Sequence, residues 1–328
     1  MPEPLLRVDD LSVRFESDEG AVHAVDGLSF ALEPGQVLGL VGESGCGKSV
    51  SSMALLRLLP PTAVISGSAR FQGVDLLQMP VRRLRQIRGR EIAFVFQEPM
   101  TSLNPSFTVG RQIGEVLSRH LSLSRGEARE RTVDLLRLVR IPAPERRIRE
   151  YPHQLSGGMR QRVMIAMAVA CGPKILIADE PTTALDVTIQ AGILSLMRDL
   201  RERLGTAIVL ITHNLGVVAD IADRVIVMYA GRKAEEADVR ELFRHPQHPY
   251  TIGLLGAVPR PVESGDSRQR LQEIPGRVPS MAELPGHCAF APRCPRADEL
   301  TRSEIPPLRE IRPDHLVACF HPGSDGRA

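Results

Sequence analysis

The octapeptide Gly42-Glu43-Ser44-Gly45-Cys46-Gly47-Lys48-Ser49 has the spacing G-x-x-x-x-G-K-S/T, and Val50 carries it into an apolar helical pattern. Such glycines let backbone N–H groups curl around an anion with no Cβ in the way, and the N-terminus of the following helix adds partial positive charge. Lys48 would reach the β- and γ-phosphates of a nucleotide, and the Ser49 hydroxyl would ligate Mg²⁺. A second group with chemical potential is Leu155-Ser156-Gly157-Gly158-Met159, which opens a helix with a hydroxyl and bare amides and so offers another anion-binding surface. The apolar run Ile175 to Ala178 ends in the adjacent carboxylates Asp179-Glu180, at the strand edge where open α/β sheets bind ligands. Gln97 ends one further strand and His213 another. The plain alternatives are a glycine-rich turn with a chance Lys-Ser pair and a hydrogen-bonded loop histidine.

These groups need elements to hold them. The run Val37 to Val41 reads as a short buried strand, and Val50 to Leu59 as a helix stopped by Pro60-Pro61. Before them, Leu5 to Phe15 and Val22 to Leu32 read as strands joined by an acidic turn around Ser17 to Gly20. Phe15 sits where its ring could stack on a flat ligand such as adenine, or serve as ordinary core. Gly67 to Phe71 and Ile92 to Phe96 read as strands flanking the arginine-rich segment Arg82 to Arg90, a solvated helix face. Val109 to His120 and Arg125 to Arg140 form a helical insertion at about residues 98–155. A helix from Ser156 to about Ala170 follows, then a helix from Val187 to Leu204 and strands at Ala207 to Ile211 and Arg224 to Tyr229. From about Glu236 the chain becomes proline-rich, with helical scraps at Val239 to Arg244 and Tyr250 to Val258.

The 328 residues carry a formal net charge of +2 and five cysteines. That length suits more than one domain, the charge gives no field for nucleic acid, and no stretch approaches the roughly 18 apolar residues that span a bilayer. Met1-Pro2-Glu3-Pro4 lacks a signal-peptide pattern, so the expected location is the cytosol, with any membrane role exercised through partners. An odd cysteine count there points to metal or free thiols, not disulfides.

Taken in order, the phosphate loop, Gln97, Leu155 to Met159, Asp179-Glu180, Ala184-Leu185-Asp186 and His213 resemble the motif set of ATP-binding cassette (ABC) ATPases. Met159 stands where that family usually has Gln. The runs Phe96 to Pro105, His248-Pro249-Tyr250-Thr251 and Ala291-Pro292-Arg293-Cys294-Pro295 look like the ATPase subunits of dipeptide, oligopeptide and nickel importers, with Glu98 and Asn214 where Asp is common. The resemblance implies an α/β fold: a RecA-like core, an antiparallel β subdomain and a helical insertion within residues 1–240, then an irregular extension over 241–328. It implies ATP and Mg²⁺ as cofactors. Asp179 and Gln97 would join Ser49 around the metal, Glu180 would polarise the attacking water, and His213 would contact the γ-phosphate. Cassettes of this kind pair head to tail, so Ser156, Gly157, Gly158 and Met159 would serve the partner's nucleotide and Asp186 would lie at the interface. The implied partners are two transmembrane permeases, a second related ATPase and an extracytoplasmic solute-binding protein, with the chain on the cytoplasmic face of the membrane. Nickel and glutathione importers share this pattern. A soluble nucleic-acid ATPase is disfavoured by the charge and by the lack of a second cassette or coiled-coil insertion, and a binding-only subunit by the intact Lys48, Asp179, Glu180 and His213.

The tail cysteines Cys288, Cys294 and Cys319 admit three readings: an iron–sulfur cluster, another metal, or free buried thiols. Several importer ATPases with a similar tail hold a 4Fe–4S cluster with four cysteines; here Thr301 falls at the missing position, leaving His287, His315 or a small molecule to complete the set. The thiols are expected to lie far from the phosphate loop.

Overall fold

The computed structural model describes residues 3–17, 20–98, 102–183, 185–257, 273–279 and 285–323. Pro99, Met100 and Thr101 of the Gln97 loop, Ala184 of the Asp186 motif and Val258 of the tail helix lie outside these residues. Strands β1 (Leu6–Ser17) and β2 (Gly20–Leu32) lead to β3 (Val37–Val41) and helix α1 (Lys48–Leu55), followed by β4 (Ala63–Phe71), β5 (Val74–Asp75), α2 (Val81–Ile87) and β6 (Ile92–Val95). Helices α3 (Val109–Leu121), α4 (Arg125–Leu138) and α5 (Pro144–Arg147) precede α6 (Gly157–Val169), β7 (Ile175–Asp179), α7 (Val187–Leu204) and β8 (Ala207–Thr212). The remaining elements are α8 (Leu215–Ile221), β9 (Arg224–Tyr229), β10 (Arg232–Asp238), α9 (Val239–Arg244), α10 (Pro249–Gly256), β11 (Arg309–Arg312) and β12 (His315–Val317).

The chain forms two compact units, one of Met1–Leu32, Val37–Leu77 and Thr212–Ala328, the other of Glu33–Gln36 and Gln78–Ile211. In the first unit, β2, β1, β4 and β5 make an antiparallel sheet in that order, with Leu6 opposite Leu32 on one side and Phe71 on the other. A second set runs β11, β12, β10, β9, β3, with β3 parallel to β9 and the remaining pairs antiparallel. All five residues of β3 are buried, the uninterrupted apolar pattern of a strand covered on both faces.

β10 was not legible as a strand, because its sequence Arg-Lys-Ala-Glu-Glu-Ala-Asp has no apolar alternation. Its glutamates are buried with partners. Glu235 accepts N–H groups from Gln247 at 2.8 Å and His248 at 2.9 Å and lies 2.8 Å from His315 Nε2. Glu236 pairs with Arg224 at 2.7 Å and with Lys233. β11 and β12 are also additions to the sequence reading, which took the tail as irregular. Four and three residues are too few to show a period, yet β12 joins the sheet with Val317 opposite Glu235.

In the second unit β8, β7 and β6 are parallel, with Ile175 opposite both Ala207 and Ile92. Every residue of β7 and β8 is buried. The helical block starts on sound caps: Thr108 accepts from Arg111 N–H, and Ser124 with Glu127 forms a reciprocal capping box, which satisfies backbone donors that a helix start leaves open. On α2 only Leu84 is buried, so the arginine run is a solvated face.

His248 supplies a pH-dependent element of this packing. It is buried, its Nδ1 accepts the Tyr250 N–H at 3.0 Å to cap α10, and burial lowers its pKa to about 4 against the opposing pull of Glu235. An unfolded histidine titrates near 6.5, so the unfolded chain takes the proton first. Stability from this group is full above about pH 6.5 and falls toward pH 4, with a slope approaching about 1.4 kcal/mol per pH unit. The urea midpoint followed by tyrosine fluorescence should therefore be lower at pH 5 than at pH 7. His248→Asn, which keeps a capping acceptor, should shrink that difference; an unchanged difference would place the acid sensitivity elsewhere.

Candidate nucleotide-binding site

The phosphate loop lies between β3 and α1 in the first unit, as the spacing predicts. Gly42 has φ 151°, and a Cβ there would stand 2.3 Å from the Met228 carbonyl oxygen and 2.7 Å from Cys46 Sγ. Gly47 caps α1 in the left-handed conformation, φ 98°, with no side-chain cap bond. No side chain therefore caps the start of α1, whose dipole favours an anion. Lys48, only 5% exposed, points its ammonium at the loop, donating to the carbonyls of Gly42 at 2.8 Å and Glu43 at 2.9 Å. Cys46 Sγ lies 3.6 Å from the same nitrogen, and burial raises the thiol's pKa although Lys48 opposes the shift. This cradle fits a nucleotide's phosphates: bare backbone, one ammonium and the Ser49 hydroxyl at the helix start. Ser44 and Gly45 form the exposed part of the loop and Val50 is half-buried on α1.

The carboxylates belong to the second unit. Asp179, 5% exposed, ends β7 in register with Ile211. Glu180 follows with φ 45°, its N–H donating to the Ile211 carbonyl at 2.9 Å. A non-glycine residue there is strained by roughly 1–3 kcal/mol, and such positions cluster at functional sites. Its Oε2 accepts from Gln97 Nε2 at 3.0 Å and from Thr183 Oγ1 at 2.8 Å. The structure brings Gln97 and Glu180 together, and it adds Thr183, a holder that the sequence reading missed although it lies three residues on. This carboxylate-and-amide set is of the hard oxygen type that suits Mg²⁺.

Ser156 caps α6, its hydroxyl accepting the Met159 N–H at 3.4 Å, and Asp186 caps α7, accepting the Ile189 N–H at 2.9 Å. The two helix starts lie together, since a Cβ on Gly158 would meet Ile189 Cγ2 at 2.7 Å. Ser156 and Gly157 face solvent, Met159 is half-buried, and Val187 beside Asp186 is 82% exposed. In the first unit His213 is exposed at the start of the turn into α8, and Asn214 caps that helix by accepting from Gly216 and Val217 N–H. Asparagine and aspartate cap equally well, so the departure at 214 leaves the local structure intact. Phe15, half-buried, lies opposite Val22 and Ala63.

The tail thiols require two corrections. Cys288 donates its N–H to the Thr301 carbonyl at 3.1 Å, which puts Thr301 beside the first cysteine. The Thr301 hydroxyl, however, is engaged with Asp298, donating to its carbonyl and accepting its N–H, both at 2.8 Å. Burial pushes all three thiols above the ordinary value, Cys319 to about 11 with Cys288 and Cys294 adding to the shift. Three thiols and a committed threonine fall one ligand short of a four-cysteine cluster. His315 does not complete the set, because its nitrogens face Glu235 at 2.8 Å and Glu241 at 3.5 Å. Among the described residues no group of three or more His, Cys, Asp or Glu is arranged to hold a metal ion. The second correction is distance: Arg293, immediately before Cys294, pairs with Glu43 of the phosphate loop at 2.6 Å. The tail is therefore not remote from that loop.

Residues 25–183 match the family model described as ABC transporter, and residues 234–300 match that of the oligopeptide/dipeptide transporter C-terminal region. The chain is 54% identical to a probable peptide ABC transporter ATP-binding protein of Sinorhizobium fredii over 96% of this chain and 94% of the relative. It is 51% identical to the oligopeptide transport ATP-binding protein OppD of Escherichia coli over 98% and 94%. The dimeric ATP-binding cassette MJ0796, solved in a post-hydrolysis state with ADP and phosphate, matches with TM-score 0.65 and 29% identity over 72% of this chain and 99% of its own. By these matches the chain belongs to the ABC transporter ATPases that carry the oligopeptide/dipeptide transporter C-terminal region.

Proposed function

We propose that this ATPase energises the import of peptides, binding MgATP and hydrolysing it as one of a pair of cassettes beneath two permeases. The observation that carries the hydrolytic part is Glu180, a carboxylate fixed by Gln97 and Thr183 beside the buried Asp179. Peptides are favoured over nickel chelates or glutathione by the names of the relatives above and by the family model that residues 234–300 match.

In this reading Lys48 and the amides of residues 42–49 hold the phosphates, and Ser49, Asp179 and Gln97 would hold Mg²⁺, which would supply neutralisation of the triphosphate's charge. Glu180 takes the proton of the attacking water, and His213 donates to the γ-phosphate. Phosphoryl transfer depends mainly on positioning and charge stabilisation, so one oriented base is sufficient. Phe15 stacks on adenine. Ser156, Gly157, Gly158 and Met159 turn their exposed helix start to the nucleotide of a related partner ATPase, and Asp186 with the exposed Val187 lies at that junction.

No described helix is long and apolar enough to cross a membrane; association with the cytoplasmic face is through the permeases, which in turn meet an extracytoplasmic solute-binding protein. The helical block offers them a groove of about 700 Å³ lined by Arg111, Glu115, Arg125, Arg129 and Arg149. Gln97, at the end of β6, is where hydrolysis would bias the position of that block.

Two substitutions test the reading. Lys48→Ala should weaken MgATP binding, since the charge that gathers the phosphate oxygens is lost; undiminished affinity in an equilibrium titration would remove the loop assignment. Glu180→Gln keeps the shape and loses the basicity, so the assembled transporter should bind ATP yet hydrolyse it about 10² to 10⁴ times more slowly, roughly 3 to 5 kcal/mol of barrier. Turnover at the parental rate would put the base elsewhere.

A further inference from the structure

The C-terminal extension is wired into the phosphate loop through one side chain. Arg293, on the 3-10 turn Ala291–Arg293, is 3% exposed and grips both carboxylate oxygens of Glu43, Nη1 to Oε2 at 2.6 Å and Nη2 to Oε1 at 3.0 Å. Its remaining donor directions are also used, on the carbonyls of Pro275 at 2.9 Å and Ile274 at 3.3 Å and on the Tyr229 hydroxyl at 3.4 Å. Gly276, at φ 81°, makes room, for a Cβ there would stand 3.2 Å from Arg293 Cγ. From the loop side, every polar group of Glu43 is held. Its N–H donates to the Tyr250 hydroxyl at 2.8 Å, its carbonyl accepts from Lys48 at 2.9 Å, and its carboxylate is in the arginine fork. Tyr250 is itself locked, fully buried against Tyr229 and Phe290 with ring centroids 4.6 and 5.5 Å away.

A carboxylate in an anion-binding loop is an electrostatic liability, because it repels the triphosphate that the loop exists to hold. The bidentate pair cancels that charge and draws the carboxylate toward the tail. It also fixes the backbone between β3 and α1, which removes part of the ordering cost of binding. Lysine could not do the same, since it has no planar fork and could not serve two carboxylate oxygens and two carbonyls at once.

We propose that Arg293 is a positioning residue for nucleotide binding: it neutralises Glu43 and anchors the phosphate loop to the C-terminal extension, which thereby sets the affinity for an anionic triphosphate. This rests on the assignment of the loop to a nucleotide made above.

The test is an equilibrium titration of the purified full chain with a fluorescent N-methylanthraniloyl ATP and Mg²⁺ at low and high salt, with circular dichroism to verify folding. Arg293→Ala should weaken binding on the order of tenfold, and the loss should be larger at low salt because the uncovered Glu43 charge is then less screened. Adding Glu43→Gln to Arg293→Ala should recover most of the loss, a coupling that general loosening of the tail would not produce. Arg293→Lys, which keeps the charge and loses the fork, should cost about threefold and decides the matter should the alanine variant fail to fold. Affinity within about twofold of the parent in the folded Arg293 variants, or a double variant no better than Arg293→Ala, overturns the proposal. Lys48→Ala titrated in parallel separates the two assignments: full binding there sinks the nucleotide reading of the loop, whereas lost binding there with full binding in the Arg293 variants sinks the role of Arg293 alone.

Discussion

Glu235 has no exposed surface, yet the first unit converges on its carboxylate. It takes the N–H groups of Gln247 and His248 and the ring of His315, so β10, the start of α10 and the tail strand β12 are tied at one charge. A buried carboxylate without partners would cost several kcal/mol, and removing one member of a buried pair is typically worth about 3–5 kcal/mol. The consequence is directional. With His248 fixed, α10 starts in the one place from which Tyr250 can reach the Glu43 N–H, and the phosphate loop inherits its seat from a charge buried elsewhere in the unit.

The second unit handles its carboxylate pair in the opposite manner. Asp179 is the last residue of a fully buried strand, but the next residue turns to φ 45°, and that turn takes Glu180 out of the ladder's alternation. An unstrained residue there would continue in extended geometry. The 2.9 Å bond to Ile211 and the two side-chain donors Gln97 and Thr183 hold the strained conformation in place. Local strain is tolerated where surrounding bonds over-determine it, and it keeps the carboxylate oriented before any substrate arrives.

The parts of this molecule that were legible in the sequence are those where chemistry allows few residue types. Gly42, Gly47, Lys48 and Ser49 have the types that let a backbone wrap an anion, and Ser156 announces a helix start by type. Uninterrupted apolar runs identified β3, β7 and β8, since a strand buried on both faces has no polar phase. What escaped were β10, β11 and β12, strands whose charged or very short segments show no alternation. β10 buries two consecutive glutamates through partners at residues 224, 247, 248 and 315, and no window along the chain contains those partners. The tail hairpin β11–β12 is too short for alternation. Thr183 and Arg293 were passed over because a threonine near a carboxylate and an arginine in a proline-rich tail are ordinary in type; only their bonds distinguish them, and one of those bonds spans 250 positions.

That last bond changes how the cysteine-bearing tail is to be understood. An appendix with little apolar periodicity gains order from a few strong polar contacts, here the Arg293 fork, the β12 ladder and the His321 ring on Asp298 at 2.8 Å. Cys294 directly follows Arg293 and ends the same 3-10 turn, with its N–H bonded to the Ala291 carbonyl at 3.2 Å and its sulfur accepting from Arg296 N–H at 3.4 Å. A turn this tight cannot move at one residue and stay fixed at the next. A change in the packing of Cys294 would therefore reach the seat of the guanidinium, and through it Glu43 of the loop between β3 and α1.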